Sequence, residues 1–235
     1  MISDASIAPT AALLADPTRV AILCALADGR VRPAGELARQ AGVSASTASE
    51  HLARLLAGGL VAVERHGRHR YYRVGGEPVV AALEAVGAIA QASAPPGFRE
   101  AAAARAVRHA RACYDHLAGA LGVQVTRALV ERGVLVPAGL RYDVPPGGAE
   151  FLAARLGVDV ERASAGRRPL TRACLDWTER AHHLAGALGA ELLARLLALG
   201  WLERTEGSRA LRVTPAGRRG FRDVLEIDAL DSRYG

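Results

Sequence analysis

The chain has 235 residues, half of them hydrophobic, and a formal net charge of +6, which is long enough to bury a substantial core in one or two domains. No apolar run is long enough to span a bilayer and the N-terminus lacks a secretory leader, so a cytoplasmic protein with no membrane partner is expected. Three cysteines, Cys24, Cys113 and Cys174, exclude a disulfide framework; all 30 basic residues are Arg, which lowers the meaning of Arg at any one site.

Ser6 to Ala15 reads as a short apolar helix, and Asp16-Pro17 caps and starts a second one running to about Asp28. Val20, Leu23, Cys24 and Ala27 share one face of it, which makes Cys24 a small core residue. From Arg32 the pattern is helix, tight turn, helix, hairpin. Leu37, Ala38 and Ala41 lie on one face of the first helix, Gly42 ends it and Ser44 caps the next. In that next helix Ala48, Leu52, Leu55 and Leu56 form the buried stripe, leaving Ala45, Ser46, Thr47, Ser49, Glu50 and Arg54 outward. Small hydroxyl side chains at the first turns allow close approach to a base edge or a phosphate. Gly58-Gly59 ends the helix, Leu60 to Glu64 alternates as a strand, and Gly67 lies at the tip of a hairpin returning to Val74. That hairpin carries Arg65, His66, Arg68, His69, Arg70 and Arg73 against a single acid, Glu64, and suits a phosphate backbone or a minor groove.

Asp16-Pro17-Thr18-Arg19 followed by Val20-Ala21-Ile22-Leu23, then Gly42-Val43-Ser44, His51-Leu52 and Gly59-Leu60-Val61, closely resemble the winged helix-turn-helix of the ArsR-type repressors over about the first third of the chain. The resemblance implies a homodimeric DNA-binding regulator of transcription, with the first helix and the helix after the wing as dimer interface. It also implies a DNA-binding set of Ser44, Ala45, Ser46, Thr47, Ser49, His51, Arg54, Arg65, His66, Arg68, His69, Arg70 and Tyr72. A two-fold dimer would read double-stranded DNA as an inverted-repeat operator. The family commonly senses metals through paired cysteines at the start of the helix before the turn, where this chain has Pro33, Ala34 and Gly35. A second common site uses acids and His on the helix after the wing, and Glu77 to Gln91 has no His.

Glu77 to Gln91 is apolar at helical spacing and is expected to be largely buried. Ser93-Ala94-Pro95-Pro96-Gly97 reads as a linker, dividing a DNA-binding and dimerisation domain (1–92) from a C-terminal sensing or interaction domain (98–235). The charge follows no nucleic-acid logic across this division: residues 1–97 hold 9 Arg and 8 acids, net +1, and residues 98–235 hold 21 Arg and 16 acids, net +5. The DNA argument therefore rests on the wing.

The second part contains a degenerate repeat. Arg111-Ala112-Cys113-Tyr114-Asp115 matches Arg172-Ala173-Cys174-Leu175-Asp176, and His116-Leu117-Ala118-Gly119-Ala120-Leu121-Gly122 matches His183-Leu184-Ala185-Gly186-Ala187-Leu188-Gly189, with Trp177 to His182 inserted in the second copy. Each copy continues with an apolar helix, a short strand pair and a Pro-x-Gly that opens another helix. The expected fold class is mainly α with short β-hairpin wings, a winged helix-turn-helix followed by two degenerate winged-helix-like units (98–166 and 167–235) of the order helix, helix, hairpin, helix.

Two constellations there could carry chemistry. His109, Cys113 and His116 are spaced i, i+4, i+7 on a helical face, and Cys174, Thr178 and His182 are spaced i, i+4, i+8 with His183 adjacent. Such residues suit a zinc-like ion, and pairing of the repeats would bring Cys113 and Cys174 together. Alternatively these residues pack and no ion is bound, or Tyr114 and Trp177 line a small-molecule pocket. No nucleotide loop, zinc-protease helix or nucleophile elbow is present, so enzymatic activity is not expected. The function read from the sequence is a homodimeric repressor released by a cytoplasmic signal, whether a metal, a thiol-reactive species or a small molecule. The alternative is a winged-helix protein-interaction module.

Overall fold

A computed structural model describes residues 4–67, 69–90 and 98–228. The chain divides between Leu83 and Glu84 into two compact units. Among the described residues no single helix is long and apolar enough to cross a membrane.

The first unit runs α1 (Asp4–Leu14), α2 (Pro17–Leu26), β1 (Arg32–Pro33), α3 (Ala34–Ala41), α4 (Ala45–Ala57), β2 (Val61–His66) and β3 (His69–Val74), with the sheet order β1-β3-β2. Asp16 caps α2 by accepting the Arg19 backbone N–H at 2.9 Å, and Pro17 occupies the first helical position where its missing N–H costs nothing. α2 buries Arg19, Ile22, Leu23 and Leu26, whereas Val20 and Cys24 are only half-buried, so the apolar face is rotated from the one expected. The rotation follows Arg19, whose guanidinium turns inward to donate to the carbonyls of Leu13 (2.7 Å) and Ala12 (2.8 Å) at the end of α1. Gly42 takes φ +67°, a left-handed value that lets α3 stop and α4 start within three residues. α4 buries Ala48, Leu52 and Leu55. Arg32 is 2% exposed and joins Asp28 at 2.7 Å and Glu36, tying the end of α2 to α3 through β1.

α5 (Glu77–Ile89) crosses the division. It is not largely buried: Val80 and Glu84 are its buried residues, while Val86 is 50% and Ile89 82% exposed. The second compact unit begins inside this helix, ahead of the segment 93–97, which lies outside the described residues. The reason is local. Glu84 pairs with Arg111 (2.6 Å) and Arg209 (3.0 Å), and a Cβ at Gly87 would stand 3.2 Å from the Trp177 ring.

The second unit continues with α6 (Phe98–His109), β4 (Arg111–Cys113), β5 (His116–Ala118), α7 (Gly119–Glu131), β6 (Val136–Ala138), β7 (Arg141–Asp143) and α8 (Pro146–Phe151), which runs on into a π-helical turn over Leu152–Leu156. It then has α9 (Val160–Ser164), β8 (Arg172–Leu175), β9 (His182–Ala185), α10 (Gly186–Ala198), β10 (Leu202–Arg204), β11 (Leu211–Val213) and α11 (Pro215–Leu225). Each copy of the repeat is therefore hairpin, helix, hairpin, helix: the Cys- and His-bearing segment expected to be helical is a hairpin in both, preceded in the first unit by α6 and opening the second. The helical spacing assigned to His109, Cys113 and His116 is overturned with it. Tyr114 takes φ +59° in the two-residue turn between Cys113 and His116, and Gly119 takes φ +81°, neither compatible with a continuous helix. A Cβ on Gly119 would meet the Arg108 carbonyl oxygen at 2.7 Å, and one on Gly186 (φ +86°) the Leu170 carbonyl oxygen at 2.7 Å, so both copies need glycine where the hairpin enters its helix.

The two copies share one core. Leu121 and Leu129 of α7, Leu188, Leu192 and Leu196 of α10, Leu152 and Phe221 all meet in it. The packing is exchanged, with β5 against α10 and β9 against α7. Thr126 of α7 accepts the Leu184 backbone N–H at 2.8 Å and donates to the Gly122 carbonyl at 2.9 Å, fixing the first copy's helix to the second copy's hairpin.

Candidate functional site

The first site is the exposed side of α4 with the β2–β3 wing. Ser44 caps α4, its Oγ accepting the Thr47 backbone N–H at 3.2 Å and lying 2.9 Å from Ser46 Oγ and 2.8 Å from Thr47 Oγ1. Ala45, Ser46, Ser49 and Arg54 are exposed, and Thr47 is half-buried. Ser49 donates to the Ala45 carbonyl at 2.8 Å and keeps its oxygen as an acceptor. The helix thus presents small side chains and N-terminal N–H groups, a combination that admits an edge of a nucleobase or a phosphate. In the wing, β2 and β3 pair Arg65 with Arg70 and His66 with His69, and Gly67 at the tip takes φ +59°. Arg65, His69 and Arg70 are exposed; Arg68 lies outside the described residues, as does the side chain of His66.

Two expected DNA-contacting residues are placed elsewhere. Tyr72 is 7% exposed, because alternation along β3 turns Tyr72 and Val74 into the core. His51 is half-buried with Nδ1 3.6 Å from Asp16, the residue that caps α2. The Arg19 backbone N–H, with His51 and Arg19 nearby, holds the Asp16 carboxyl below its usual range.

The second site lies in the C-terminal unit. In each copy the cysteine stands directly opposite a histidine across the hairpin, Cys113 against His116 and Cys174 against His183. Directly opposed residues project to one face of a strand pair, so each hairpin delivers one sulfur and one imidazole side by side. The two hairpins face each other through β5 and β9, and one ligand atom from each of the four buried residues lies within 4.8 Å of all the others. The Nε2 atoms of His116 and His183 are 3.1 Å apart and the rings stack at 5.1 Å.

Behind each imidazole stands the aspartate two residues after the cysteine. Asp115 Oδ1 is 3.5 Å from His116 Nδ1, and Asp176 Oδ2 is 3.9 Å from His183 Nδ1. Asp115 is itself held by Arg168. Asp176 is fully buried, accepting the Gly119 backbone N–H (2.7 Å) and the Thr178 N–H and hydroxyl (2.9 and 2.7 Å), and pairs with Arg111 at 3.0 Å. Burial alone would raise its pKa, but Arg111 with these donors outweighs it and holds the carboxyl low. Without an ion, the hydrogen bond shared by the thiols pushes Cys113 up and Cys174 down, with burial adding to the first and the two histidines to the second.

Four of the six residues singled out in the C-terminal part are thus brought together. His182 is the neighbour of His183 on a strand and turns to the exposed side, and His109 ends α6, half-buried, outside the four. Thr178 donates its N–H and hydroxyl to Asp176 in the turn after β8 instead of joining a helical face. The two aromatic walls expected of a small-molecule pocket are occupied otherwise: Trp177 lies 5.6 Å from the Arg111 guanidinium and Tyr114 5.9 Å from that of Arg168. Asp115, Asp176 and Arg111 are visible in the sequence only as parts of the repeated Arg-Ala-Cys-x-Asp block, which carries no local signal for burial or for a partner.

A helix-turn-helix domain family matches residues 14–64. The HTH-type regulator YgaV of Escherichia coli is 40% identical over 34% of this chain and 84% of its own length. A solved homodimeric winged helix-turn-helix domain from Mycobacterium bovis, described as a possible ArsR-family regulator, is 35% identical over 37% of this chain and 84% of that one, with a TM-score of 0.33. The HTH-type transcriptional regulator YdfF of Bacillus subtilis is 43% identical over 94% of this chain and 98% of its own, so the likeness takes in the hairpin repeats as well as the DNA-reading unit. On that end-to-end match, the chain belongs to the HTH-type transcriptional regulators.

Proposed function

We propose that the protein is a homodimeric repressor that binds an inverted-repeat operator through α4 and the wing, and that its C-terminal unit receives the releasing signal. The observation that carries the reading is the exposed small-residue start of α4 on the same compact unit as the exposed Arg65 and Arg70 of the wing. Ala45, Ser46 and Ser49 read bases; Arg54, Arg65 and Arg70 grip phosphates. The exposed Val86 and Ile89 of α5 favour a second copy as the cover for that helix.

Fluorescence anisotropy with operator DNA tests this. Affinity is expected to fall steeply with salt, about one power of salt for each phosphate contact. The pair Arg65→Ala and Arg70→Ala lowers affinity for every sequence and reduces that slope, whereas Ser46→Ala changes preference at one position per half-site. A flat salt response would instead favour a protein-interaction module. A monomer by light scattering at micromolar concentration would overturn the dimer.

A further inference from the structure

We propose that Cys113, His116, Cys174 and His183 form a closed tetrahedral site for one divalent ion of the zinc class, which staples the two repeats of the C-terminal unit. The site is separate from DNA reading, and nothing in its argument depends on the operator.

The geometry fits the ion without rearrangement of the fold. A tetrahedral ion with bonds of about 2.0–2.3 Å holds its ligand atoms about 3.3–3.8 Å apart. Here the four ligand atoms lie within 4.8 Å and the two Nε2 atoms 3.1 Å apart. All four residues are buried and all are protein ligands, leaving no open position for water or substrate. That is the pattern of a binding site and not of a catalytic one.

The proton bookkeeping points the same way. With both Nε2 atoms turned toward each other, neutral imidazoles can form only one N–H···N bond. The donor then has a bare Nδ1 lone pair facing its aspartate, unless it takes a second proton. An ion at the centre removes the conflict: both Nε2 lone pairs bind it, and both Nδ1–H groups point at Asp115 and Asp176. His183 Nδ1 is buried and, among the described residues, has no hydrogen-bond partner at its 3.9 Å from Asp176. Carboxylates behind ligand imidazoles fix the tautomer and raise ligand basicity. This chain supplies one to each histidine, at the same place in both repeats.

Charge selects the valence. Two thiolates and two neutral imidazoles carry two negative charges, which a divalent ion cancels. Outside them Asp115 is matched by Arg168, and Asp176 and Glu84 by Arg111 and Arg209. Two thiolates with two imidazoles select a borderline-soft ion over magnesium or calcium.

The test uses the purified, untagged full chain. Elemental analysis is expected to find one zinc-class ion per chain, and replacement by cobalt(II) to give the visible bands of tetrahedral cobalt with a thiolate charge-transfer band. Cys24→Ser keeps both signals, and Cys113→Ser with Cys174→Ser loses both. Asp115→Asn keeps the ligands but lowers affinity about 10- to 100-fold in a competition with a chromogenic chelator. Because cobalt titration of the unaltered chain is read without any variant, poor folding of a mutant leaves the test intact. A chain that takes up no stoichiometric ion, or binds cobalt with no thiolate band, overturns the site; so does a Cys113–Cys174 disulfide in chain purified under reducing conditions. None of these readouts involves DNA, so loss of operator binding with the cobalt spectrum intact would count against the proposed repressor function alone.

Discussion

Arg111 is a fully buried cation between two buried carboxylates, and its position shows what each charge there costs. Removing Arg111 leaves Asp176 desolvated without its arginine and Glu84 with Arg209 alone, and breaking a buried group of this kind costs about 3–5 kcal/mol. Arg111→Met is therefore expected to lower the unfolding free energy of the C-terminal unit, read from urea denaturation, by that amount, and a change under about 1 kcal/mol would show that water reaches Asp176 and Glu84. At the other end of the chain, Asp16 sets a milder condition. Its carboxyl is held low chiefly by the Arg19 backbone N–H, so its folded pKa lies below its unfolded one. The stabilisation is complete above the ordinary carboxylate range and disappears as pH falls through the depressed value. Comparing wild type with Asp16→Asn by urea denaturation, the gap should be constant near neutrality and narrow in acid. A gap that widens in acid would contradict the cap.

The helix-turn-helix and wing were legible because their signals are local: Ser44 before α4, Gly42 at the stop of α3, alternation along β2 and β3. The hairpins of the C-terminal unit were not. β4 and β5 have three residues each, buried on both faces, so they show no alternation, and the i, i+4, i+7 spacing of His109, Cys113 and His116 mimics a helix. The repeat nevertheless placed Cys113 and Cys174 near one another, since pairing of duplicated units depends on topology and not on whether the paired segments are helices or strands. The two glycines that follow the hairpins carry a prediction for these elements. Gly119→Ala or Gly186→Ala forces a Cβ to 2.7 Å from a carbonyl oxygen at positive φ. Each should cost more than about 1 kcal/mol, beyond the usual helix gain from alanine. An unchanged melting temperature would mean that the hairpin–helix junction relaxes freely.

At the scale of the molecule, the question is whether the proposed ion can be felt by the DNA-reading unit. The residues that would carry the effect form a continuous series: His183 faces Asp176, Asp176 pairs with Arg111, and Arg111 pairs with Glu84 on α5. α5 is a single helix from Glu77 to Ile89, so it begins in one compact unit and is gripped at Glu84 in the other. Removing the ion frees His183, weakens the reason for Asp176 to stay in place, and lets Arg111 choose between two carboxylates. A ligand shifts an equilibrium only by its differential affinity for the two states, and couplings of this kind amount to about 5- to 150-fold. Chelation is therefore expected to weaken operator binding by a factor in that range, with affinity restored by one equivalent of zinc. Glu84→Gln keeps the shape of the side chain but removes the charge that Arg111 and Arg209 hold. In that variant the cobalt spectrum should be unchanged while operator affinity becomes the same with and without metal. If wild-type affinity is indifferent to chelation, the ion serves only to hold the repeats together, and the releasing signal has to act elsewhere in the C-terminal unit.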